Sequence, residues 1–216
     1  YFRKKAGLPS DAHGLSGWYS TNCGIFGQIL GALAKMSLAL KDYCLREKAL
    51  YLVYEWEKCV DQNPAILEND TYVFDKMLGG LLDLYEFLGE QSTKKYISAL
   101  TDQAAKQFDP SIRRDGFQDA ALSDAHMIEW YTLPENLYRA YQLIGDEKYK
   151  NFAQVWDYNY FWDKLNKRDF NIGPRHAYSH VNSLSSAARA YEATHENRYL
   201  TAAENAYDEI LNHHTF

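Results

Sequence analysis

The stretch ALYLVYEWEKCV, residues 49–60, decides the fold, because its spacing returns as YKNFAQVWDYNY at 149–160 and as YLTAAENAYDEI at 199–210. Ala49, Leu52, Val53, Trp56 and Val60 align with Tyr149, Phe152, Ala153, Trp156 and Tyr160, and again with Tyr199, Ala202, Ala203, Ala206 and Ile210. At about 3.6 residues per turn these positions fall on one face, so each stretch predicts an amphipathic helix. A weaker copy starts at Tyr96. The copies recur at about 50 residues, which suits a two-helix hairpin with a long loop and not the roughly 34-residue tetratricopeptide unit.

Working outward, four hairpins follow: 24–41 with 45–61, 71–89 with 92–108, 127–144 with 147–162, and 176–194 with 197–212. The first helix of the first pair carries Phe26, Ile29, Leu30, Leu33, Met36 and Leu40 at helical spacing, with Asn22 as candidate N-cap. In the second pair the stripe runs through Phe74, Met77, Leu78, Leu81, Leu82, Tyr85 and Leu88, between a cap at Asp70 and a stop at Gly89. Thr132 and Glu135 read as a capping box around Pro134, Gly145-Asp146 as a C-cap followed by an N-cap, and His195-Glu196-Asn197 as a short turn. Turns within hairpins are short, whereas 62–70, 109–126 and 163–175 are long and polar. All long connections therefore gather at the end where first helices begin, a place suited to a binding surface. Gly31, Gly79 and Gly80 weaken first helices by about 1 kcal/mol each, which close packing between those helices would offset.

The reading is all-α: helical hairpins of an (α/α)6 toroid, first helices inside and second helices outside. A closed ring at this period needs roughly 300 residues. Residues 1–216 thus read as one partial toroid domain of four hairpins and eight helices, with further hairpins expected outside it. A net charge of -6 with dispersed Lys and Arg leaves no basic stripe for phosphates and argues against a nucleic-acid partner. No apolar run approaches the roughly 20 residues that span a bilayer, and the first residues lack a signal-peptide core. Cys23, Cys44 and Cys59 form no CxxC pair, and Cys44 and Cys59 would stand about 22 Å apart along one helix, beyond disulfide reach. The 18 tyrosines suit either sugar stacking or helix packing.

The segments FRKKAGLP (2–9), GWY (17–19), YVFDKMLGGLLD (72–83), EWYTLPENLYRAY (129–141) and HAYSHVN (176–182), in that order, resemble the helical domain of the β-L-arabinofuranosidase family, glycoside hydrolase family 127 and its relatives. The resemblance implies an (α/α)6 barrel followed by β-sandwich domains, action on L-arabinofuranosides of plant cell-wall or related glycans, and secretion or export to the periplasm. It also implies a zinc-bound cysteine nucleophile with a glutamate acid/base, both beyond Phe216. The cofactor expected within this segment is accordingly none, and no catalytic role passes to Cys23, Cys44 or Cys59. His176 matches the family's pocket histidine, while two other pocket histidines fall on Gln28 and Asp75 here. An ionised carboxylate accepts hydrogen bonds where an imidazole could donate, so Asp75 points to a differently hydroxylated sugar.

Glycoside hydrolysis usually employs two carboxyl groups. Asp75, Glu129 and Glu135 are the acids at first-helix starts, and Glu135 is most simply a capping residue. Glu129 sits beside Trp130 and Tyr131, whose rings could raise its pKa and stack on a sugar; a plain structural hydrogen bond is the competing reading. His176 and His180, four apart on one helix face, could hold a metal, but without the Glu of HExxH sugar contact by His176 with support from His180 is preferred. Trp18 is either a platform under a sugar or ordinary loop packing. His213 and His214 suit a helix C-terminus. The expected substrate-binding set is therefore His176, Glu129, Asp75, Gln28, Tyr131, His180 and Trp18, with a carbohydrate as partner. The competing function is a carbohydrate-binding or scaffold toroid without catalysis.

Overall fold

The computed structural model describes residues 1–10, 24–112, 129–170 and 177–214. Among them the ordered elements are all helical: α1 (Phe2–Lys5), α2 (Gly24–Leu40), α3 (Tyr43–Gln62), α4 (Thr71–Leu88), α5 (Thr93–Gln107), α6 (Leu133–Ile144), α7 (Glu147–Val155), α8 (Asn159–Asn166), α9 (Ala177–Thr194) and α10 (Asn197–His213), with short 3-10 turns between. They pair into helical hairpins, the repeating unit of a helical toroid. By contact the chain divides into two compact units, Tyr1–Phe108 and Asp109–Phe216.

In the first unit the caps form where the sequence places them. Asp70 accepts the Val73 amide at 2.7 Å, and Gly89 closes α4 in the left-handed region at φ 68°. Asp42 caps α3 by accepting the amides of Cys44 and Leu45. The expected cap Asn22 lies outside the described residues. First helices α2 and α4 run parallel: Gly27 lies against Lys76 and Gly80, Gly31 against Asp83, and Lys35 reaches both Asp83 and the Phe87 ring. A Cβ on Gly27 would strike the Lys76 carbonyl and one on Gly80 the Gly27 carbonyl, so only glycine permits this backbone contact. The stripe of α4 is buried at Phe74, Met77, Leu78, Leu81 and Leu82. That of α2 is not: Leu30 and Ala34 face α4, while Ile29, Met36 and Leu40 are exposed on the other side. Second helices α3 and α5 are also parallel, joined by Ser92 to Glu57 at 2.7 Å, Tyr96 to Asp61 at 2.8 Å and the Trp56–Tyr96 ring pair.

The second unit repeats the plan with two departures. Gly145 (φ 80°) and Asp146 end and begin helices as expected. The capping box does not form. A 3-10 turn, Trp130–Thr132, runs directly into α6, leaving Thr132 helical at φ -91° with no capping bond. Ser186 of α9 takes over: the Glu135 amide donates to its hydroxyl at 3.2 Å, and that hydroxyl donates to the Thr132 carbonyl at 3.4 Å. Tyr131 against His180 at one end and Arg189 on Gln142 further along show that α6 and α9 run parallel. The other departure is the outer helix expected over 147–162, which breaks at residues 156–158 into α7 and α8. The break shifts the apolar register, so Tyr160 is exposed while Phe161, Trp162 and Leu165 are buried. The second piece lies along α10 through Trp162 on Tyr199 and Asn205 on the Leu165 carbonyl at 2.9 Å.

Candidate functional site

In the second unit the first-helix starts meet. Glu129 precedes α6 in the left-handed region, φ 49° and ψ 35°, and is buried. A non-glycine residue held there stores strain of about 1–3 kcal/mol, which persists only where surroundings impose it. Here the Thr132 amide and hydroxyl both donate to the Glu129 carbonyl at 3.0 Å. Tyr131, on the following turn, is fully covered and lies 4.5 Å from the His180 ring of α9. The arrangement brings Tyr131 and His180 together from two parallel helices, with Trp130 packed edge-on against Tyr131.

Two residues that sequence reasoning passed over complete this cluster. Tyr158, in the break between α7 and α8, stacks on Tyr131 with centroids 5.0 Å apart and planes at 16°. Its hydroxyl oxygen stands 3.4 Å from Nε2 of His180, with the donor set by the imidazole tautomer. Phe161 lies edge-on to the same imidazole at 5.6 Å. The signal available beforehand was only the aromatic density of 156–162, which equally suited packing.

Asp157 holds the break in place. Its carboxylate accepts from Tyr138 at 3.1 Å, Tyr199 at 2.5 Å and Arg198 at 3.2 Å. Burial pushes the Asp157 carboxyl up to about 6, against the opposing pull of Tyr199, Tyr138 and Arg198. Burial likewise holds both phenols well above their ordinary value, so both keep the protons they donate.

In the first unit Asp75 and Gln28 occupy corresponding first-helix starts. Asp75 is buried and paired with Lys76 at 2.8 Å, and Lys76 in turn sits over the Tyr72 ring. Gln28 of α2 is exposed, next to the Gly27 contact with α4. His176 and Trp18 lie outside the described residues. A cavity of about 360 Å³ lies between α8, α9 and α10, with Phe161 and His180 in its wall. Its walls are chiefly apolar, among them Phe161, Leu165, Val181, Leu184 and Ile210, with His180, Glu209 and His214 as polar lining.

The resemblance implies zinc, and the described donors do not fit it. Cys44 is exposed and Cys59 buried on the same helix, and among the described residues no three His, Cys, Asp or Glu side chains gather as a metal site. His213 and His214, at the end of α10, lie 3.8 and 3.4 Å from Glu209. Among the described residues no helix is long and apolar enough to cross a membrane.

Within each unit parallel first helices pack beside second helices, and in the second unit an aromatic cluster with a strained glutamate lies at the first-helix starts; together these define a helical-hairpin protein. A family model described as β-L-arabinofuranosidase, GH127 catalytic domain, matches residues 1–216, and the chain belongs to that family. A search of curated proteins finds no match.

Proposed function

We propose that residues 1–216 form the sugar-binding helical part of a glycoside hydrolase acting on L-arabinofuranosides, with Glu129, Tyr131, His180 and His176 among its sugar-binding residues. The observation that carries this reading is Glu129, a buried acid in strained backbone at the start of an inner helix and one residue from an aromatic pair. Strain of that kind concentrates at functional sites because ordinary packing would relax it. His176 stands four residues before His180 in the sequence. Gln28, Asp75 and Trp18 are kept as proposed sugar contacts. It also takes 1–216 as one partial toroid domain. The exposed row Ile29, Met36 and Leu40 supports further hairpins, since a ring neighbour running parallel to α2 would cover it. Zinc and the reactive groups belong outside this segment.

The test is calorimetry with arabinan oligosaccharides, alongside hydrolysis of a p-nitrophenyl arabinofuranoside. Glu129→Ala and His176→Ala should reduce turnover of the whole protein far more than affinity, while residues 1–216 alone should bind without turnover. Turnover and affinity that both variants leave intact would overturn the pocket. Equal losses of affinity with no turnover in the native protein would favour a carbohydrate-binding toroid.

A further inference from the structure

No proline or glycine lies between Val155 and Asn159, so local propensity does not dictate the break in the outer helix. Two tertiary demands meet there instead. Asp157 collects donors from α6 and α10, and Tyr158, turned to the opposite task, enters the aromatic cluster beneath the first-helix starts. An uninterrupted helix would place adjacent residues about 100° apart on one cylinder and could not keep both contacts while continuing into α8. The break therefore delivers an outer-layer tyrosine to an inner-layer histidine. Tyr158 is 1% exposed, its ring is held between Tyr131 and Phe161, and its hydroxyl faces Nε2 of His180. With the ring fixed on both faces, the hydroxyl has little freedom except to turn its proton.

We propose that Tyr158 is a positioning residue: its hydroxyl donates to Nε2 of His180, holding that imidazole as the Nδ1–H tautomer and in one orientation under the sugar pocket, with Asp157 anchoring the chain break that presents it. This rests on the pocket assignment given above for its functional consequence, while the tautomer itself stands on the second unit's geometry alone. A neutral imidazole has one donor and one acceptor nitrogen, and a partner on one of them decides which is which.

The experiment uses the native protein, Tyr158→Phe and His180→Gln. Tyr158→Phe keeps the stacked ring and removes only the hydroxyl. Long-range nitrogen NMR of the imidazole should show a single acceptor Nε2 in the native protein and a tautomer mixture in Tyr158→Phe. The KM for p-nitrophenyl β-L-arabinofuranoside should rise about 3- to 10-fold, the range expected for one hydrogen bond, with kcat little changed. A merely structural role would lower the melting temperature and leave the tautomer alone. An unchanged tautomer in Tyr158→Phe, or Nε2–H in the native protein, overturns the proposal whatever the kinetics show. If the tautomer responds but neither Tyr158→Phe nor His180→Gln alters KM, the pocket assignment at His180 fails and with it the catalytic consequence, while the tautomer lock stands.

Discussion

Asp157 makes the stability of this protein depend on pH in an unusual direction. A carboxyl group in water titrates near 3.8, whereas burial carries Asp157 up to about 6 in the folded chain. The folded state therefore binds the proton more tightly than the unfolded one, and stability falls as pH rises between those values. The contribution is fully present below 3.8 and lost as pH passes about 6. At about 1.4 kcal/mol per pH unit, most of the interval between those values amounts to about 2–3 kcal/mol. Asp157 is almost wholly enclosed, so solvent screens little of this. The assay is urea unfolding, followed by tryptophan fluorescence, of the native protein and Asp157→Asn at about pH 4 and about pH 7.5. Taking the difference between the two proteins removes other titrating groups. The native protein's stability relative to Asp157→Asn should drop by about 2–3 kcal/mol from the lower pH to the higher. A difference that stays flat, or that grows with pH, would show that Tyr138, Tyr199 and Arg198 compensate burial completely and would refute the reasoning.

Other perturbations test the packing. Ser186→Ala should cost about 0.5–1.5 kcal/mol and speed deuterium exchange at the Glu135 amide, because that part-buried donor loses the Ser186 hydroxyl; native-like exchange would contradict the substitute cap. Gly27→Ala should cost at least about 1–3 kcal/mol, since the added methyl meets the Lys76 backbone, while Gly31→Ala should cost less because it meets a side-chain oxygen of Asp83; equal melting temperatures would count against the close approach of α2 and α4. Asp70→Ala should remove about 1 kcal/mol through the cap of α4, measurable by chemical denaturation, and no loss would mean the Val73 amide finds another acceptor.

The hairpins were legible in the sequence because helix periodicity and capping are local. Asp70, Gly89, Gly145 and Asp146 punctuate helices through their own side chains or left-handed backbone, so their identities suffice. Gly31 and Gly80 were equally readable as close contacts, since little else justifies glycine within a helix, whereas Gly27, against the Lys76 carbonyl, was not singled out. Glu129, Tyr131 and His180 could be nominated from residue type and position, but that Tyr131 touches His180 required α6 and α9 to lie side by side.

What the sequence by itself determined is the all-helical hairpin plan, through spacing that any one segment displays alone. The tertiary structure decided the exceptions. Thr132 and Glu135 spell a capping box, yet a neighbouring helix supplies Ser186 and the 3-10 turn removes the extended backbone the box needs. The stretch 147–162 spells one helix, yet Asp157 and Tyr158 satisfy partners more than a dozen residues away, and those bonds outweigh the few continuous helical turns they interrupt. Local pattern counts only bonds within reach of its own turn, whereas a buried carboxylate or phenol must find donors and acceptors wherever the fold brings them.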